Sequence, residues 1–150
     1  MRMFRFVKNL RALLAGISPK KEPGEFYFVS IPHGRRSDAQ SSKIIGSFKE
    51  KEGMTYIVEK GELGAFSKIQ GARVSSPYSL ITLDVYSDLA SIGFIAAVSK
   101  ALANRGVSVN VVSAYCHDHL LVPVKDTKRA MSILRRISKE SAEKASRLES

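Results

Sequence analysis

The chain has 150 residues, 44% of them hydrophobic, and carries 24 Lys and Arg against 14 Asp and Glu, a formal charge of +10. That is enough apolar chain for one core or two small ones packed together, and no apolar run approaches the roughly 18 to 20 residues a membrane span needs. The single cysteine, Cys116, excludes an internal disulfide and a cysteine-cluster metal site, and it suits a reducing cytoplasm.

The charge is unevenly placed. Residues 1–21 hold six basic side chains and no acid, residues 125–150 hold eight basic and four acidic ones, and residues 22–124 hold ten of each. Such a total would ordinarily point to nucleic acid. A neutral centre argues against it, so no nucleic-acid partner is expected.

In chain order, Met3, Phe6, Val7, Leu10, Leu13, Leu14 and Ile17 share one face at helical spacing, with Arg2, Arg5, Lys8 and Arg11 largely on the rest. This reads as a basic amphipathic helix docked on the sheet or on a partner subunit, with a transit peptide or membrane-surface anchor as the alternative. Glu25 to Pro32 is a strand by its aromatic and β-branched content. Ile44 to Phe48 and Thr55 to Val58 form a hairpin through Lys49 to Gly53. Between them, His33 to Ser42 is a polar loop. A short helix begins near Gly61-Glu62, and Gly71 to Pro77 links the halves.

The second half is more regular. Leu80 to Tyr86 alternates as a strand with one buried face. Leu89, Ile92, Phe94, Ile95, Val98 and Leu102 then recur at three- and four-residue steps, a helix capped by Ser87 or Asp88 and stopped at Asn104-Arg105-Gly106. Val107 to Val112 is a second strand, Tyr115 to His119 a tight reversal, and Leu120 to Val124 a third strand. Asp126 or Thr127 caps a final helix with Ala130, Ile133, Leu134 and Ile137 inward, and Lys139 to Ser150 is too polar for a buried strand.

The candidate chemistry is sparse. His117 and His119 fall on one side of the reversal and Cys116 on the other, so no metal site is expected. Gly61-Glu62-Leu63-Gly64 lacks the lysine of a phosphate loop, and no nucleophile has a base clearly in reach; neither catalysis nor a cofactor is expected. The start of the helix after Tyr86 is more promising. Free N-H groups there favour a carboxylate, Gly93 allows close approach, Asp88 can pair with an ammonium group, and Asn110 offers both a donor and an acceptor. The same residues also serve simply as a cap, a packing glycine and a turn residue.

The runs D-V-Y-S-D-L-A-S-I-G-F at Asp84 to Phe94, V-S-V-N-V-V-S at Val107 to Ser113 and Y-C-H-D-H-L-L-V-P at Tyr115 to Pro123 resemble the ACT domains of small prokaryotic proteins built of little besides a tandem ACT pair. Glu25 to Pro32 and Ser47 to Val58 match more loosely. The resemblance implies an α+β, ferredoxin-like βαββαβ sandwich: two ACT-like halves with antiparallel sheets, 1–72 and 73–138, and a polar tail, 139–150. It implies ligand contacts at Ser87, Asp88, Ser91, Ile92, Gly93, Asn110 and Val111, although Ala90-Ser91 stands where Pro-Gly is common.

A βαββαβ unit needs a fourth strand that 73–138 does not supply, so exchange between halves is expected, with Phe26 to Ile31 closing the second sheet. The resulting expectation is a non-catalytic, cytoplasmic regulatory module that binds a small molecule, an amino acid, as a homodimer or higher oligomer. The alternative is a structural or interaction protein of the same fold with no ligand.

Overall fold

The computed structural model describes residues 6–35 and 43–147. Met3, Arg2 and Arg5 of the expected first helix, most of the polar loop before Lys43, and the last three residues of the tail lie outside them.

The elements in chain order are α1 (Leu10–Ala15), β1 (Lys20–Lys21), β2 (Phe26–Pro32), β3 (Ile44–Lys49), β4 (Gly53–Glu59), α2 (Leu63–Ser67), β5 (Arg73–Val74), β6 (Tyr78–Thr82), α3 (Phe94–Ala103), β7 (Asn110–Ser113), β8 (Asp118–Pro123) and α4 (Thr127–Ser146). They form two compact units. One comprises residues 1–22 and 79–150, the other residues 23–78.

In the unit of residues 23–78, β2 pairs antiparallel with β4 from Phe26↔Glu59 to Pro32↔Gly53, β3 pairs with the other edge of β4, and β5 joins β2 at Val29 and Ser30. Val29, Ile31, Val58 and Phe66 form its core. Gly53 is required where β4 starts, because a Cβ there would sit 1.9 Å from the carbonyl oxygen of Ile31.

The other unit holds the element order expected of the second half, β6, α3, β7, β8, α4, with β8 between β6 and β7. Its core comprises Ile81, Leu83, Phe94, Val98, Leu102, Leu120, Val122 and Leu134, completed by Leu13 and Ile17 from the start of the chain. Leu13 is fully buried. Residues 1–22 are thus structural members of this unit. Helix α1 packs on α4, where Ser138 donates its hydroxyl to the carbonyl of Ala15 at 2.8 Å.

The strand exchange takes a different form from the one read in the sequence. β1 pairs with β6 at Lys20↔Thr82 and Lys21↔Ile81. Phe26–Ile31 meets β6 at a single position, Phe26↔Tyr78, and spends the rest of its length on β4. A charged two-residue strand on an edge has no apolar alternation to betray it.

Two helix starts also move. Among the described residues α1 begins at Leu10, with Phe6 and Val7 of the expected helix outside it, and Asn9 caps it by accepting the N-H of Ala12 at 3.1 Å. α3 begins at Phe94, five residues after Leu89. Asp88 holds the chain in a turn, accepting the N-H of Ala90 on its side chain and of Ser91 on its backbone carbonyl, both at 2.8 Å. Gly93 then takes the left-handed conformation, φ 86°. A side chain that bonds its own backbone competes with helix, and a left-handed residue cannot belong to a right-handed one.

Candidate functional site

The corner after β6 is built by three segments of one unit. Val7 pairs with the loop that leaves the strand: its N-H donates to the carbonyl of Tyr86 at 2.9 Å, and its carbonyl accepts from the N-H of Asp88 and the hydroxyl of Ser91, each at 3.2 Å. Lys8 adds an ion pair with Asp88 at 3.5 Å, worth little at so exposed a position. The arm of residues 7–10 therefore fixes the loop, a role that no sequence pattern announced.

Beneath the loop lies a cavity of about 130 Å³. Ser87, Asp88, Ser91 and Gly93 line it together with Leu89. So do Phe94, Ile95 and Ala96, the first residues of α3. Ala97 is the first residue of that helix whose N-H reaches a carbonyl behind it, that of Gly93 at 2.9 Å, so the three preceding N-H groups have no acceptor within the helix. The floor is Ser113 and Asp118. Asp118 is 5% exposed and accepts from Ser87 Oγ at 2.7 Å and Ser113 Oγ at 2.5 Å.

Four of the seven residues expected at this site are thus brought together on one wall. Ile92 is 89% exposed and points away from the cavity. Asn110 and Val111 sit at the opposite end of β7, which meets the cavity through Ser113, about 10 Å further along the strand. Ser113 and Asp118 are the residues that the sequence reading missed. The signal was an acidic residue at a buried strand start, hidden by its place between two histidines.

The histidines serve a neighbouring polar network. Thr82 donates its hydroxyl to Glu22 at 2.8 Å and lies 3.0 Å from Nδ1 of His119, so that nitrogen carries the proton. Burial, with His117 close by, pushes the His119 imidazole below its ordinary value. Asp84, the one described residue other than glycine with positive φ, pairs with Lys20, which holds its carboxyl below the usual range. His117 Nε2 lies 3.6 Å from the same carboxylate. Among the described residues, no three His, Cys, Asp or Glu side chains are placed to hold a metal ion.

Two family models match the chain, each described as an ACT domain, over residues 7–63 and 75–136. The chain belongs to the ACT domain family. Its ACT fold is shared by solved structures. A Vibrio cholerae protein of unknown function, described as a possible transport protein, is 33% identical with a TM-score of 0.71, covering 86% of this chain and 95% of that one. An Agrobacterium tumefaciens protein is 18% identical with a TM-score of 0.66, covering 81% and 89%. The regulatory subunit of aspartate kinase from Thermus flavus is 13% identical with a TM-score of 0.57, covering 81% and 98%. At the latter two identities the likeness is one of ACT fold alone. No curated protein matches the chain. The described residues contain no helix long and apolar enough to cross a membrane.

Proposed function

We propose that this ACT protein is a non-catalytic regulatory module that takes a small amino acid in the cavity under the Tyr86–Gly93 loop. The observation that carries the reading is the opposition of charge preferences within one small space. Unsatisfied N-H groups at the start of α3 favour a carboxylate, while the carboxylates of Asp118 and Asp88 favour an ammonium group. The volume is below the range typical of drug-sized ligands, which favours a ligand of few atoms. A homodimer in the cytoplasm completes the proposal, with Asn110 and Val111 contacting ligand across the subunit interface; light scattering after gel filtration tests the assembly.

Thermal-shift screening against the common amino acids tests the ligand. A selective binder of the native state raises the melting temperature with concentration, and Asp88→Ala weakens that rise. No shift with any amino acid at millimolar concentration removes the reading. The interaction-protein reading then takes over, favoured by the apolar side chains on edge strand β3, where Phe48 is 72% and Ile45 42% exposed.

A further inference from the structure

The two basic segments of the chain, distant in sequence, fold into the same unit. Residues 1–22 and 79–150 together hold 16 Lys and Arg against eight Asp and Glu, whereas residues 23–78 hold eight against six. Within that unit α1 lies against α4, and between them runs a groove of about 400 Å³ lined by Arg11, Leu14, Ser141, Lys144 and Arg147. The cations extend beyond the groove. Arg135 and Lys139 lie on the solvent side of α4, which at 20 residues is about 30 Å long, whereas Arg136 lines a separate groove between α3 and α4 with Arg105 and Glu140. Among the described residues Arg11, Arg135, Lys139 and Lys144 make no salt bridge; Glu140 and Glu143, one helical turn from Lys144 and Lys139, offset part of this charge and leave an excess of cations.

We infer that the α1–α4 face is a docking surface for the phosphate backbone of a nucleic acid. The case rests on charge complementarity and on what the face lacks. Lipid surfaces are gripped by an apolar helix face sunk into the headgroup boundary. Here the apolar stripe of α4 is spent on the core through Ala130 and Leu134, and α4 presents no exposed large hydrophobic side chain; α1 adds only Leu10, 36% exposed, among the described residues, too little for a face sunk into a membrane. A phosphate backbone needs only cations at reach along a line, and the guanidinium forks that dominate this face suit phosphate oxygens. With no aromatic side chain in the groove, base stacking is not available. Binding is therefore independent of sequence and strongly weakened by salt. The neutral centre that argued against nucleic acid in the linear sequence does not lie on this face.

Fluorescence anisotropy of the full chain with a labelled 20-base-pair DNA duplex and a labelled 20-nucleotide RNA is the test. The expected result is binding at 50 mM salt to duplexes of unrelated sequence alike, with the log of affinity falling by roughly 3 to 5 per log of salt as three to five phosphates are neutralised. The triple variant Arg11→Glu, Lys139→Glu, Lys144→Glu is expected to lose at least tenfold in affinity. A control with the same change in net charge on the other unit, Lys49→Glu, Lys51→Glu, Lys68→Glu, is expected to keep it, with circular dichroism confirming that both fold. Equal losses in the two variants would overturn the inference, since only net charge would then matter. Absence of binding overturns it, as does sedimentation with phosphatidylglycerol vesicles without nucleic-acid binding. The amino-acid thermal shift is a separate readout, so failure of either proposal leaves the other standing.

Discussion

The hydroxyl of Ser87 donates to Oδ2 of Asp118 at 2.7 Å, and that hydrogen bond ties the loop after β6 to the start of β8. Ser113 holds the other carboxylate oxygen, so the charge at the cavity floor is fixed in place by two donors. Removing it leaves the buried hydroxyl of Ser87 without its acceptor, while that of the exposed Ser113 can turn to water. Asp118→Ala is expected to cost about 1–3 kcal/mol of stability, measured by urea denaturation. Asp118→Asn keeps one acceptor oxygen and is expected to cost less while abolishing the thermal shift with amino acids. An unchanged shift in Asp118→Asn removes the carboxylate from the site.

Gly93 controls how α3 begins. Its φ of 86° is unfavourable for a residue with a side chain, by about 1–2 kcal/mol. The added methyl group itself has room, with its nearest neighbour, a Leu10 methyl, 3.5 Å away. Gly93→Ala is therefore expected to lower the melting temperature by several degrees through backbone strain alone. A melting temperature unchanged in Gly93→Ala shows that the turn can relax without loss.

His119 predicts a pH dependence. Burial lowers its folded-state value below the ordinary 6.5, so on acidification the unfolded chain takes up this proton before the folded one does. The stability associated with a neutral His119 is complete above pH 6.5 and is lost as the pH falls through the lower folded-state value. Urea midpoints between pH 7.5 and 5 are expected to decline, and to decline less in His119→Gln. Parallel curves for the two proteins place the titration elsewhere.

The N-terminal segment should be indispensable to the second half. Leu13 and Ile17 are buried in the core of the unit formed with residues 79–150. Losing a side chain of this kind costs about 2–5 kcal/mol, against a total stability of roughly 5–15 kcal/mol for a domain. A fragment of residues 73–150 is expected to show no cooperative thermal transition by circular dichroism. A sharp, reversible melt of that fragment shows that residues 1–22 are dispensable.

Local periodicity alone determined the second half: the two-residue alternation at Leu80 and the three- and four-residue steps through Val98 and Leu102 need no partner to be read, because they record which face each element buries. Periodicity did not place the start of α3: Leu89 and Ile92 keep the helical step, yet the Asp88 turn and the left-handed Gly93 hold the chain out of the helix until Phe94. What only the tertiary structure decided was which distant segments meet. Val7 on the loop, Leu13 in the core, Lys20–Lys21 on the edge of β6 and Asp118 under Ser87 are contacts across scores of residues. Such contacts follow from packing and from backbone pairing, which accept many side chains, so a local pattern such as the apolar face of Val7 and Leu13 marks a segment for burial without naming its partner.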